Sequence, residues 1–111
     1  MTNDQIRMAA KDYASRIQET DIYRKYCKER ERLKKDPELY AKVNEYRRST
    51  YELHNNTDKD QLFDRMDAYE KEYESFRENP LVENFLQAEL DFCRLIQELN
   101  IIIMDHLDFE L

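Results

Sequence analysis

The sequence contains no glycine. Dinucleotide fingerprints, phosphate-binding loops and nucleophile elbows all need glycine where the backbone turns sharply or lies against a ligand, so that absence removes several chemistries at once. Cysteine occurs only at Cys27 and Cys93. With no Cys-x-x-Cys spacing and no pairing with histidine, neither a zinc site nor a disulfide framework is indicated, and reduced thiols in a cytoplasm are the expectation. No apolar run approaches the roughly 18 residues of a membrane-spanning helix, and the opening MTNDQIRMAAKDY lacks the basic-then-apolar order of a secretory signal.

What is present is charge: 39% of the 111 residues are Asp, Glu, Lys or Arg, with a net charge of -7. The length suits one domain, taken as residues 1–111, and with so few apolar residues a small bundle is expected to complete its core by oligomerising. The acidic balance opposes attraction of the whole molecule to nucleic acid or an anionic membrane. The charge is nonetheless uneven. RKYCKERERLKK, residues 24–35, holds seven basic and two acidic side chains, whereas 78–111 holds eight acidic and one basic.

Between turn signals the apolar residues recur at three and four positions and nowhere alternate cleanly, which predicts an all-α fold, a small bundle of about five helices. Ile6, Ala10, Tyr13 and Ile17 make the first stripe. Thr20 is a candidate N-cap for a second helix carrying Ile22, Tyr26, Cys27, Arg30 and Leu33; whether the first two helices form one bent rod is left open. Asp36-Pro37 and Asn79-Pro80 each place a capping residue before proline. At the first helical position a missing N–H costs nothing and a fixed φ already suits the helix, so both read as helix starts. The third helix uses Leu39, Val43, Tyr46 and Leu53 and is expected to end at Asn55-Asn56 with asparagine in the left-handed cap conformation. Thr57 with Asp60 would cap a fourth helix, whose stripe of Leu62, Met66, Tyr69, Tyr73 and Phe76 alternates steps of four and three, a seam suited to a neighbouring helix at a shallow angle.

The densest apolar stretch is NPLVENFLQAELDFCRLIQELNIIIMDHL, residues 79–107. On a helical wheel at about 100° per residue, Leu81, Val82, Phe85, Leu86, Ala88, Phe92, Cys93, Leu95, Ile96, Leu99, Ile102, Ile103, Met104 and Leu107 gather in an arc of roughly 200°. A surface helix needs about half of that, so this long C-terminal helix is expected to be covered on two sides, by its own bundle and by a second chain. Glu89 and Asn100 fall at the centre of the arc, where an unpaired polar group would cost a few kcal/mol. Both should have partners, drawn from the eight tyrosines or from Arg30 or Arg47, in a network that fixes helix register. The alternatives for Glu89 are an interface position and a ligand-binding carboxylate.

No catalytic or metal-ligating set stands out. The acids lie mostly on predicted solvated faces, and His54 and His106 have no partner at ligand spacing. No catalytic residue, cofactor or metal is therefore assigned. Arg24, Lys28, Arg32 and Lys35, spaced four, four and three, form a basic stripe. It reads as a solvated face partly neutralised by Glu29 and Glu31, or as a grip for an acidic protein partner such as the C-terminal helix of another copy. An RNA-binding module is the alternative, weakened by overall acidity and by the salt sensitivity of so few phosphate contacts. Cys93 behaves as a small apolar residue on the inner arc.

DPELYAKVNEYRRSTYELHN followed by NPLVENFLQAELDFCRLIQELNIII resembles the YlbF/YmcA family of small bacterial helical proteins. Its marks are Asp36 to Leu39, Asn79-Pro80, Phe85-Leu86, Ala88-Glu89 and the tail from Leu95 to Ile103. The resemblance implies a cytoplasmic, non-catalytic regulator acting with partner proteins in the control of competence, sporulation and biofilm formation, including a complex concerned with RNA processing through the ribonuclease RNase Y. Some relatives hold an iron–sulfur cluster through cysteines, several in a C-terminal extension; no cofactor is expected here. The resulting expectation is an adaptor that forms a dimer or tetramer through Phe85, Glu89, Phe92, Ile96, Leu99 and Ile103 and through the seam of Leu62, Met66, Tyr69 and Tyr73. Its other partners would be regulators of the same family or an RNA-processing complex, with no membrane and no direct nucleic-acid contact.

Overall fold

The computed structural model describes residues 1–56 and 59–110, leaving aside the side chains of 53–56, 59–64 and 72. Among the described residues there are five helices and no strand: α1 Asn3–Ile17, α2 Asp21–Lys34, α3 Pro37–Asn56, α4 Lys59–Arg77 and α5 Pro80–His106. The chain is all-α, and its last helix is the longest, at 27 residues.

Short polar side chains set the helix starts. The backbone N–H of Tyr23 donates to Thr20 Oγ1 at 3.2 Å, that of Leu39 to Asp36 Oδ1 at 3.2 Å, and that of Leu81 to Asn79 Oδ1 at 3.0 Å. Each satisfies an N–H that the helix leaves without an internal acceptor, and Pro37 and Pro80 occupy the first helical position. The first two helices are therefore separate, broken at residues 18–20. A fourth start was not expected from the sequence. Thr2 and Gln5 form a reciprocal capping box at α1, and the Thr-x-x-Gln pattern is its signal.

The ends differ more from expectation. Asn55 and Asn56 are both inside α3, and neither takes a left-handed conformation; among the described residues Asp108, with φ of 54°, is the non-glycine residue that does. It closes α5: Phe109 N–H donates to Met104 O at 3.2 Å and Asp108 N–H to Asp105 O at 3.1 Å. That is the paired bonding of a Schellman cap. Glycine is the usual choice at this position, and in its absence aspartate, which tolerates the conformation better than most residues, takes it. The cap expected at Thr57, and the side chains of Leu53 and Leu62, lie outside the described residues.

Contacts divide the chain into two compact units whose boundaries run through α2 and α5. The unit of residues 30–86 holds the large core side chains: Leu33, Val43, Val82 and Phe85 are fully buried, and Tyr73 and Phe76 nearly so. Tyr46 of α3 is the hub of its aromatic cluster. Its ring stacks on Tyr69 (centroids 5.6 Å apart, 14° between planes) and meets Tyr73 edge-on at 5.2 Å and Phe76 at 5.6 Å. Three of these four rings come from α4, so the seam read from the sequence is filled by α3 of the same chain.

The unit made of residues 1–29 and 87–111 is built differently. Among its described residues only Ala88 and Glu29 are buried. What ties α5 to α2 there is an aromatic clasp: the Phe92 ring stacks on Tyr26 at 5.4 Å and 12°, and meets Tyr23 at 5.4 Å and 59°. Glu29 is buried and has an interaction within the chain, while Glu31 lies 3.7 Å from Arg30 Nε and 3.8 Å from Lys34 Nζ.

Candidate docking surface

The last turns of α5 carry apolar side chains on every side. Ile101, Ile102, Ile103 and Met104 are consecutive, so at 100° per residue they span most of the helix circumference, and a helix apolar all round is ordinarily a buried one. Here the four are exposed, Ile101 by 61% and Ile103 by 40%, and Leu107 and Phe109 continue the surface at 65% and 57%. Asn100, Ile101, Met104 and Asp105 line an open hollow of about 310 Å³. A second one, about 260 Å³, is lined by Ile22, Asp91, Arg94, Leu95 and Glu98. Both combine apolar side chains with acids, the second with Arg94 as well.

The expected association residues separate along α5. Phe85 is 1% exposed and belongs to the core of its own unit, with Arg47 over its ring at 6.0 Å, so it is not available to a partner. Glu89, Phe92, Ile96 and Leu99 are half-buried, and Ile103 is open. Glu89 has an interaction within the chain, whereas Asn100 is exposed, so the desolvation cost expected at Asn100 does not arise in a single copy. On α4, Tyr73 is buried and Met66 and Tyr69 are half-buried. Of the second association seam, Tyr69 and Tyr73 meet Tyr46 inside the chain, and Leu62 lies outside the described residues.

Arg24, Lys28 and Arg32 are exposed on α2, with Arg32 engaged in an interaction. Lys35 lies past the end of that helix, which shortens the stripe to three. Cys93, expected to pack inward, is exposed, and Cys27 is half-buried; both are free thiols. Among the described residues no group of three His, Cys, Asp or Glu could hold a metal ion, and no helix is long and apolar enough to cross a membrane.

Sequence reasoning missed α1 as part of this surface. Its stripe of Ile6, Ala10, Tyr13 and Ile17 was read as an apolar face; no residue of α1 is buried and only Ile17 is half-covered. Periodicity identifies an apolar face without saying what covers it.

The family model described as control of competence regulator ComK, YlbF/YmcA, matches residues 6–108. The chain belongs to that family. The match takes in all of α2 to α5 and most of α1, so the exposed apolar residues from Ile101 to Leu107 lie within the YlbF/YmcA region. A UPF0342 protein of Caldicellulosiruptor bescii is similar as well, 23% identical over 103 residues that cover 91% of this chain and 87% of that protein. No solved structure matches. YlbF/YmcA membership carries the description of a competence regulator, and the resemblance read from residues 36–55 and 79–103 is thereby shown.

Proposed function

We propose that this YlbF/YmcA protein is a non-catalytic cytoplasmic adaptor in the control of competence, which acts by docking with other chains, further copies of itself among them. One observation carries this reading: the run from Ile101 to Phe109 exposes six large apolar side chains on one short stretch. Single exposed hydrophobics are ordinary, but contiguous apolar patches on soluble proteins mark surfaces that meet another molecule. The adaptor's roles in sporulation, biofilm formation and RNA processing would pass through the same surface, with the basic face of α2 selecting acidic partners.

Sedimentation velocity of the full chain over a range of concentrations tests the proposal. The wild type should assemble, and Ile96→Asp, which puts a charge on the half-buried side of α5, should shift it to monomer or unfold it, with far-UV dichroism separating the two. A wild-type chain that stays folded and monomeric at the highest concentration ends the self-docking reading.

A further inference from the structure

Resting on the docking reading above, we propose a specific occupant for the end of α5: helix α1 of a second copy lies along residues 93–106, and the exchange is reciprocal, so that two copies close a symmetric dimer through two α1–α5 contacts.

The first argument comes from α1 itself. It is 15 residues long, capped by a complete capping box at its start, and buries none of its side chains. A helix of about 12–15 residues is marginal in water by itself and draws its stability from packing an apolar face. The face exists: Ile6, Ala10, Tyr13 and Ile17 follow steps of four, three and four, and Ile6 and Tyr13 stand 54% and 39% exposed. Within one chain that face stays partly open, with none of its residues buried. The caps and the periodicity specify a packed helix, and the packing must come from elsewhere.

The second argument is complementarity with α5. At about 1.5 Å per residue, α1 is roughly 22 Å long and residues 93–106 roughly 21 Å, so the two surfaces match in length. On α5 and the turn that follows it, Ile96, Ile103 and Leu107 repeat at steps of seven and four, with Asn100 between the first two, the narrow seam that receives a single helix. Charge adds a smaller complement, since α1 has a net charge of only +1, three basic residues against Asp4 and Asp12, and faces an acidic stretch of α5. The basic residues of α1 are Arg7, Lys11 and Arg16; Arg7 and Arg16 are tied to Asp4 and Asp12 at 3.0 and 3.3 Å on their own helix, leaving the Lys11 ammonium to act outward. The matching stretch of α5 and its cap bring Glu98, Asp105 and Asp108 against one basic residue, Arg94. Both halves of the contact are on this one chain, so a second copy can supply each; a single such contact runs head to tail, and it is the forming of both contacts at once that closes the pair with two-fold symmetry. That is why the occupant is a second copy.

The test uses the full chain with substitutions at exposed positions, so that folding is spared. Ile6→Asp spoils α1, and Ile103→Asp spoils the receiving face. Each alone should weaken self-association by about tenfold or more. An equimolar mixture of the two should regain dimer, because the intact tail of the first accepts the intact α1 of the second. If Ile103→Asp abolishes the dimer while Ile6→Asp leaves it untouched, or if both abolish it and mixing recovers nothing, the exchange is wrong although the docking reading survives. A monomeric wild type overturns both. Should Ile6→Asp lose helix content by dichroism, a charge reversal replaces it: Lys11→Glu should weaken the dimer, and mixing with Glu98→Lys/Asp105→Lys protein should restore it. Failure of that restoration overturns the exchange.

Discussion

Tyr69 joins α4 to α3 through one oxygen. Its hydroxyl donates to the Tyr46 carbonyl at 2.6 Å and lies 2.6 Å from Thr50 Oγ1, which itself donates to the same carbonyl at 2.9 Å. Two hydroxyl protons are thus shared among three short contacts around a carbonyl that the helix already uses. Tyr69→Phe keeps the ring stacking and removes only this oxygen. It should destabilise the protein by about 1 kcal/mol, the net worth of a hydrogen bond whose remaining acceptor keeps another donor, read as a lower urea midpoint at unchanged slope. A larger loss would mean the hydroxyl also positions the cluster. At this scale the sequence identified Tyr46, Tyr69 and Tyr73 as apolar-face residues, yet gave no sign of which tyrosine hydroxyl would be satisfied, because a partner 23 positions away leaves no local pattern. The opposite holds for Asp108. A chain without glycine must end its helices on other residues, but which aspartate or asparagine adopts positive φ depends on where the last turn stops packing.

For whole helices, the sequence was informative wherever chemistry is local. Thr20, Asp36 and Asn79 could be named as caps because a short side chain reaching its own backbone two or three residues on needs no tertiary context. The faces were legible too, but their partners were not: the steps of α4 require a neighbouring helix, and nothing in period or composition distinguishes α3 of the same chain from a helix of another. Asn79→Ala and Asp36→Ala should each cost about 1 kcal/mol, with Asn79→Ala felt in both units because α5 runs through both. Thermal melts of the single and double variants check this; caps at separate helices should act additively, and a double variant no worse than either single one would contradict independent caps.

The distribution of buried side chains across the molecule gives association its physical reason. Among the described residues every large side chain that is fully buried, Phe85, Leu33, Val43 and Val82, belongs to residues 30–86. The other unit, with α1 and most of α5, closes around the Phe92 clasp and leaves Ile6, Ile22, Ile101, Ile102 and Ile103 open. Covering one such side chain is worth about 1.5–3 kcal/mol, so a unit that covers few of them has little with which to offset the entropy of holding its helices. Dilution should therefore separate the two. In amide exchange, α1 and residues 100–106 should lose protection as the protein is diluted while α3 and the start of α5 keep theirs, since a partner that binds only the folded state stabilises in proportion to the logarithm of its concentration. The early part of a thermal melt should move upward with protein concentration for the same reason. Protection of α1 and the α5 tail that is high and independent of concentration would mean that the chain covers these faces by itself, and the exposed isoleucines would then no longer argue for a partner.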